Sequence, residues 1–182
     1  MDRESIILGL DPGTNLMGFG VIKTSNKSIN ILQYGVIKMT NEKNHLRKLK
    51  IIFNTVNNLI IEFNPDEISI ESPFFGKNVQ SMLKLGRAQG AAMIAGEINN
   101  IKITEYAPKK IKQSVTGNGN SSKEQLSQMV KKILNIKPTE KEKFDATDAL
   151  GAAICHYYQR FSNKKSKKSW KDFINSNPDK LI

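Results

Sequence analysis

Ser5-Ile6-Ile7-Leu8-Gly9-Leu10-Asp11-Pro12-Gly13-Thr14 is the stretch from which the rest of the chain is best read. Ser5 to Leu10 is an apolar run of strand length, and Asp11-Pro12-Gly13-Thr14 carries the turn residues that end it. Outward from it, Met17 to Lys23 and Asn30 to Met39 are β-branched and aromatic. Short polar connectors separate them, which predicts an antiparallel meander.

A long helix is expected from Asn44 to Phe63, where Leu46, Leu49, Phe53, Val56, Ile60 and Phe63 recur at helical spacing and Pro65 stops the run. Glu67 to Glu71 reads as a short strand ending in a second acid, turned by Ser72-Pro73. Val79 to Asn99 reads as a helix crowded with small residues, among them Gly86, Ala88, Gly90, Ala92 and Gly96. Each helical glycine costs about 1 kcal/mol relative to alanine, so another backbone should pack closely there. An internal strand and the same helix of a second subunit both satisfy that need, and the dimer contact is the favoured expectation.

Lys102 to Tyr106 is a further strand, and Pro108 opens a short helix that leads to a flexible loop, Gly117-Asn118-Gly119-Asn120. Ser121 or Ser122 caps the next helix, which runs to about Leu134. The basic loop Lys137 to Lys143 leads into a last helix from Phe144 to Arg160. The order βββαβαβααα describes an α/β layer fold with a mixed central sheet flanked by helices. Residues 1–161 are expected to form one domain and 162–182 a basic, flexible tail, with Trp170 and Phe173 able to dock locally.

The 182 residues carry a formal charge of +11, from 28 Lys and Arg against 17 Asp and Glu. Such an excess favours a polyanionic partner, most often nucleic acid. From Arg160 onward there are seven basic and two acidic residues, so the excess is concentrated rather than spread. The longest apolar runs, such as Ala91 to Ala95, are far below a membrane span, and no signal peptide opens the chain. Cys155 is the only cysteine and no zinc-type spacing occurs, which points to a reducing, cytoplasmic setting. His45 and His156 fall in helical segments without evident partners and are expected on helix surfaces.

Against this basic background four acids stand where strands end or a helix begins: Asp11, Glu71, Asp145 and Asp148. Asp11 and Glu71 converge if their strands are neighbours. Asp145 and Asp148, three apart, share one helix face. Aspartate is also favoured in a helix's first turn by the macrodipole, and Asp11 could serve only its turn. Taken together, four close carboxylates raise one another's pKa unless a cation neutralises them. Hard oxygen donors suit Mg²⁺ or Mn²⁺ rather than zinc. Two such ions about 4 Å apart can activate a water and stabilise the leaving 3′-oxygen of a phosphodiester.

The motif Ile7 to Thr14 with Gly18-Phe19-Gly20-Val21 resembles the first motif of the RuvC family of Holliday junction resolvases. Ile70-Glu71, Phe74 to Asn78 and Leu85-Gly86-Arg87-Ala88-Gln89-Gly90 resemble the second, and Tyr106-Ala107-Pro108, Lys112-Gln113, Gly117-Asn118-Gly119 and Asp145 to Leu150 complete the order. The resemblance covers about residues 5–160 and implies an RNase H-like fold, a homodimer and paired incisions across four-way junction DNA. It also implies cooperation with the branch-migration complex of the same pathway. By motif position the four acids take the metal-binding catalytic roles, with two Mg²⁺ ions per site. Phe74 or the adjacent Phe75 is the aromatic residue that stacks near the junction centre, and Lys77, Lys112 and Lys123 meet DNA. Ser72-Pro73 and the tail after Phe161 depart from the family's pattern, and the tail is expected to add phosphate affinity. Actin-like and sugar-kinase-like ATPases share the acidic turn but need a second lobe. A non-catalytic DNA-binding protein leaves the acids without a purpose, and an RNase H-like nuclease with another substrate remains the third alternative.

Overall fold

A computed structural model describes residues 4–25, 28–73, 78–137 and 144–165, without the side chains of residues 161–165. The elements follow the expected order: β1 (Ser5–Asp11), β2 (Leu16–Thr24), β3 (Ile29–Lys38), α1 (His45–Phe63), β4 (Glu67–Glu71), α2 (Val79–Ile98), β5 (Lys102–Tyr106), α3 (Pro108–Thr116), α4 (Lys123–Ile133) and α5 (Phe144–Lys165). The strands form one mixed sheet in the order β3-β2-β1-β4-β5. β1 pairs antiparallel with β2 and parallel with β4, which pairs parallel with β5.

Successive side chains on a strand point to opposite faces, and this divides the core in two. Leu8, Leu10, Ile68 and Ile70 join α1 and α2 on one face, with Ile52, Val56, Ala88 and Ala92. Ile7 and Ile22 join α3, α4 and α5 on the other, with Ile111, Leu126, Val130, Leu150 and Ile154. The alternate residues of β1 and β4, including Asp11 and Glu71, therefore turn toward α5.

α5 lies very close to the sheet because three glycines leave room for it. A Cβ at Gly9 would overlap the Ala149 carbonyl, one at Gly18 the Asp145 carbonyl, and one at Gly20 the Leu150 side chain. Gly9 pairs with Gly20 and Asp11 with Gly18, so the cleared strip runs directly beside the first acid.

Local signals act as read, with three differences, at the Gly117–Asn120 loop, at His156 and at the end of α5. Asn64, in the left-handed region at φ 43°, ends α1 before Pro65. Ser122 rather than Ser121 caps α4, in a reciprocal capping box with Gln125. The Gly117–Asn120 loop, expected to be flexible, is tied down. The Gln113 side chain accepts from Gly119 N at 2.9 Å and donates to Gly117 O at 2.7 Å, and Thr116 Oγ1 accepts from Asn118 N at 3.1 Å. His156 is buried, not on a surface. Its Nε2 lies 2.7 Å from Glu67 Oε2 and its Nδ1 2.8 Å from Tyr106 OH, partners distant in sequence. α5 extends to Lys165 rather than ending at Arg160. Trp170 and Phe173, with residues 166–182 of the expected tail, lie outside the described residues.

The small residues of α2 divide between two faces. Ala88, Ala92 and Ala95 are buried against the sheet, and a Cβ at Gly96 would meet Ile68 and Ile103. Gly86 and Gly90 face open space, flanked by exposed Val79, Leu83, Ile94 and Ile98. The strand explanation thus accounts for the inner small residues, and Gly86 and Gly90 have no close neighbour within the chain.

Candidate metal centre and nucleic-acid interface

Asp11 and Glu71 are the last residues of β1 and β4, adjacent parallel strands whose register pairs Leu10 with Ile70. The next position on each strand is an acid, and both turn toward α5. Asp145 lies in the first turn of α5 and Asp148 one turn on, on the same side. Gly18, opposite Asp11, allows the Asp145 backbone to sit against the sheet. Two strand ends and one helix start thus meet at one edge of the sheet.

The electrostatics are those of crowded carboxylates. Burial, and then the charges of Glu71, Asp148 and Asp145, raise the Asp11 carboxyl well above its ordinary range despite Lys123. Burial and the Asp148 charge push Glu71 up to about 7, against the lowering effect of Lys123 and Lys112. Asp148, only 4% exposed, is raised by burial more than Lys123 lowers it. Its Oδ2 receives Lys123 Nζ at 3.1 Å, while its Oδ1 is buried without a hydrogen-bond partner among the described residues. Burial works to lower the Lys123 ammonium, and Asp148, Asp11 and Glu71 more than offset it, so its pKa is raised.

A cleft of about 550 Å³ opens beside the acids, lined by Glu71 and Asp148 and by Lys109, Lys112, Asn120 and Lys123. α3 buries Ile111 and Val115, which turns Lys109 and Lys112 outward together. The capping box makes Lys123 the first residue of α4. A cation there opposes the helix dipole, and the facing acids outweigh that cost. Lys112 and Lys123, expected to meet DNA, thus line the cleft beside Glu71 and Asp148. Lys109 and Asn120 were missed; the three-residue spacing of Lys109 and Lys112 on an amphipathic helix was the available signal. Phe74, Phe75 and Lys77 lie outside the described residues.

Among the described residues, no three His, Cys, Asp or Glu side chains close on one point as a finished metal site. The donor chemistry nevertheless fits a hard divalent cation: all four groups offer carboxylate oxygens, three carry raised pKa values, and one buried oxygen of Asp148 has no partner among the described residues.

The sequence profile of the crossover junction endodeoxyribonuclease RuvC matches residues 7–156. The chain belongs to the RuvC family. It is 53% identical to the crossover junction endodeoxyribonuclease RuvC of Christiangramia forsetii, over all of this chain and 95% of that protein. It is 52% identical to the RuvC of Porphyromonas gingivalis, over 98% of each. Among solved structures, RuvC of Thermus thermophilus in complex with Holliday junction substrate superposes with a TM-score of 0.79. That match has 27% identity and covers 87% of this chain and 96% of that one. The yeast mitochondrial resolvase Ydc2 shares the fold, with a TM-score of 0.59 and 17% identity over 87% of this chain and 83% of that one. The family places this chain among the nucleases with an RNase H-like fold.

In this RuvC-family chain the raised carboxyl groups set a pH dependence. A group whose folded pKa exceeds its unfolded value contributes stability that is complete below the unfolded pKa and lost as pH rises through the folded one. For Glu71 that window runs from 4.5 to about 7. Glu71→Gln should therefore melt higher than wild type at pH 8 in EDTA, with the difference vanishing below 4.5. Mg²⁺ should raise the wild-type melting temperature more than the variant's, by an equivalent of about 2.7 kcal/mol at 100 times its Kd. Thermal melts across this pH range, with and without Mg²⁺, check both expectations. Equal Mg²⁺ effects on the two proteins would separate Glu71 from metal binding.

Proposed function

We propose that the chain is a Mg²⁺-dependent endonuclease that resolves four-way DNA junctions by paired symmetric nicks during recombination and repair. The reading is carried by one observation: four carboxylates gathered at a sheet edge, under a cleft walled by lysines, in a chain with RuvC relatives along its whole length. Asp11, Glu71, Asp145 and Asp148 hold two Mg²⁺ ions, with Mn²⁺ as a substitute. When bound, the ions supply the activated water and stabilise the departing 3′-oxygen, giving 5′-phosphate and 3′-hydroxyl ends.

Lys112 and Lys123 neutralise the acids in the absence of a cation and are placed to hold phosphate oxygens of the strand to be cut. The Lys123 side chain is 61% exposed even in its ion pair, so it can exchange one anionic partner for another. Phe74 or Phe75 stacks at the junction centre, and Lys77 and the 162–182 tail add phosphate contacts. A second copy of the chain covers the outer stripe of α2, from Val79 through Gly86 and Gly90 to Ile98. A two-fold dimer presents two centres to a substrate of matching symmetry, which accounts for paired cuts. Action on DNA places the protein in the cytoplasm, together with the branch-migration complex of the pathway.

The test uses a mobile four-way junction and a linear duplex of the same sequence, with Mg²⁺ and with EDTA. Symmetric cuts confined to the junction and to Mg²⁺ are expected. Equal cutting of the duplex would refute junction selectivity, and a monomeric mass in sedimentation equilibrium would remove the dimer.

A further inference from the structure

A second cleft, of about 360 Å³, lies beyond the Asp11–Thr14 turn and is lined on several sides by basic residues: Lys43 ahead of α1, His45 and Lys48 on α1, and Lys84 on α2. Thr14 and Asn15 of the turn close its remaining side. Lys48 Nζ donates to Asn15 Oδ1 at 2.7 Å, and Met39 N donates to Asn15 O at 2.8 Å, so turn and cleft form one rigid unit.

Three observations mark the cleft as built for an anion. Lys43, Lys84 and Arg87 make no ion pair among the described residues, although like charges so gathered repel one another. The Nε2 atom of His45 is buried with no hydrogen-bond partner among those residues, and a buried ring nitrogen left so is costly. Burial and then the charges of Arg87, Lys84 and Lys48 lower the His45 pKa, and Lys48 and Lys84 line the same cleft from two helices. Only a negative charge between them relieves both the repulsion and the unpartnered nitrogen. An ordinary solvated lysine face offers neither a cleft nor a buried ring nitrogen.

The position identifies the anion. Asp11, at one end of the turn, belongs to the acids, and Thr14, at the other, lines the cleft; three residues span at most about 11 Å. Along one DNA strand the axial rise is about 3.4 Å per nucleotide, so the cleft lies within about three nucleotides of the phosphate to be cut. We propose that Lys43, His45, Lys48 and Lys84 form a subsite for a backbone phosphate of the bound DNA, flanking the scissile one on the α1/α2 side of the turn. The subsite rests on the nuclease reading above and adds to it a second anchor. With the Lys112–Lys123 wall, that anchor fixes the direction in which the strand crosses the acids.

The test measures binding of a four-way junction in Ca²⁺ across a salt series, with the full chain. Each phosphate left without its lysine should reduce the slope of log K against log salt by about 1, so Lys43→Ala/Lys84→Ala should reduce it by up to about 2. Lys102→Ala, at the opposite end of the parallel strands, should leave the slope at the wild-type value. The wild-type protein supplies a second readout. In an NMR titration the His45 ring should move to higher pKa when junction DNA binds, while the buried His156 ring serves as reference. Inorganic phosphate is the companion probe. A His45 shift with phosphate but not with DNA would make the cleft a free-anion site and overturn the proposal. Unchanged slope in the double variant, with wild-type junction binding intact, would overturn the subsite alone. Absence of any junction binding by wild type would instead overturn the nuclease reading.

Discussion

Asp148→Asn is expected to abolish junction cleavage, with a fall of about 1,000-fold, the upper end of what removing one electrostatic stabiliser costs. The substitution keeps the shape of the side chain and removes its charge. Asp148 is nearly fully buried, its Oδ1 has no partner among the described residues and its Oδ2 holds Lys123, so on the proposed reading it is the acid most committed to the centre. Without the charge, two changes coincide: the cation is deprived of a hard ligand, and Lys123 is released. Folding should not suffer. Burial raises the Asp148 pKa more than Lys123 lowers it, so the charged form is under strain in the metal-free chain. The variant should therefore melt no lower than wild type at pH 8 in EDTA and still bind the junction. Nicking assays, melting curves and junction binding on one preparation separate the cases. Activity within tenfold of wild type would show that Asp148 does not carry the chemistry, and inactivity with a collapsed melting temperature would assign it a structural role.

Gly9→Val is expected to be the most damaging single change to the fold, at about 3 kcal/mol or more. The added Cβ would occupy the place of the Ala149 carbonyl and press on the Cβ and N of Ala153, so the obstacle is helix backbone rather than a yielding side chain tip. α5 would have to lift from the sheet. It would carry Asp145 and Asp148 with it, and cleavage should fall together with stability. Gly86→Ala is the contrast within the chain, since that Cβ meets nothing there within 4 Å and only a second copy seated on α2 would oppose it. The urea unfolding midpoint of Gly9→Val should fall well below that of Gly86→Ala. A Gly9→Val protein of wild-type stability would mean that α5 is not held against β1.

Much of this was legible in the residues. Apolar period, Pro65 and the Asp-Pro-Gly turn act within a few positions along the chain, so they carry their structural meaning with them. The same locality made the acids visible, because each interrupts an apolar stretch. What failed was long-range. His156 looked unpartnered because Glu67 and Tyr106 lie 89 and 50 residues away. The Gly117–Asn120 loop looked loose because its glycines are visible in the sequence, whereas the orientation of the Gln113 side chain is not.

By itself, then, the sequence determined the order of ten elements, the identity of the four acids and, through spaced motifs, the family. Those are properties of local patterns and of composition. Only the tertiary structure decided that the acids share one edge, because that depends on β4 pairing with β1 and on three glycines admitting α5 to the sheet. It alone revealed the second cationic cleft as well. Lys43, Lys48 and Lys84 are ordinary lysines along the chain and become a site only when α1, α2 and the Asp11–Thr14 turn pack together.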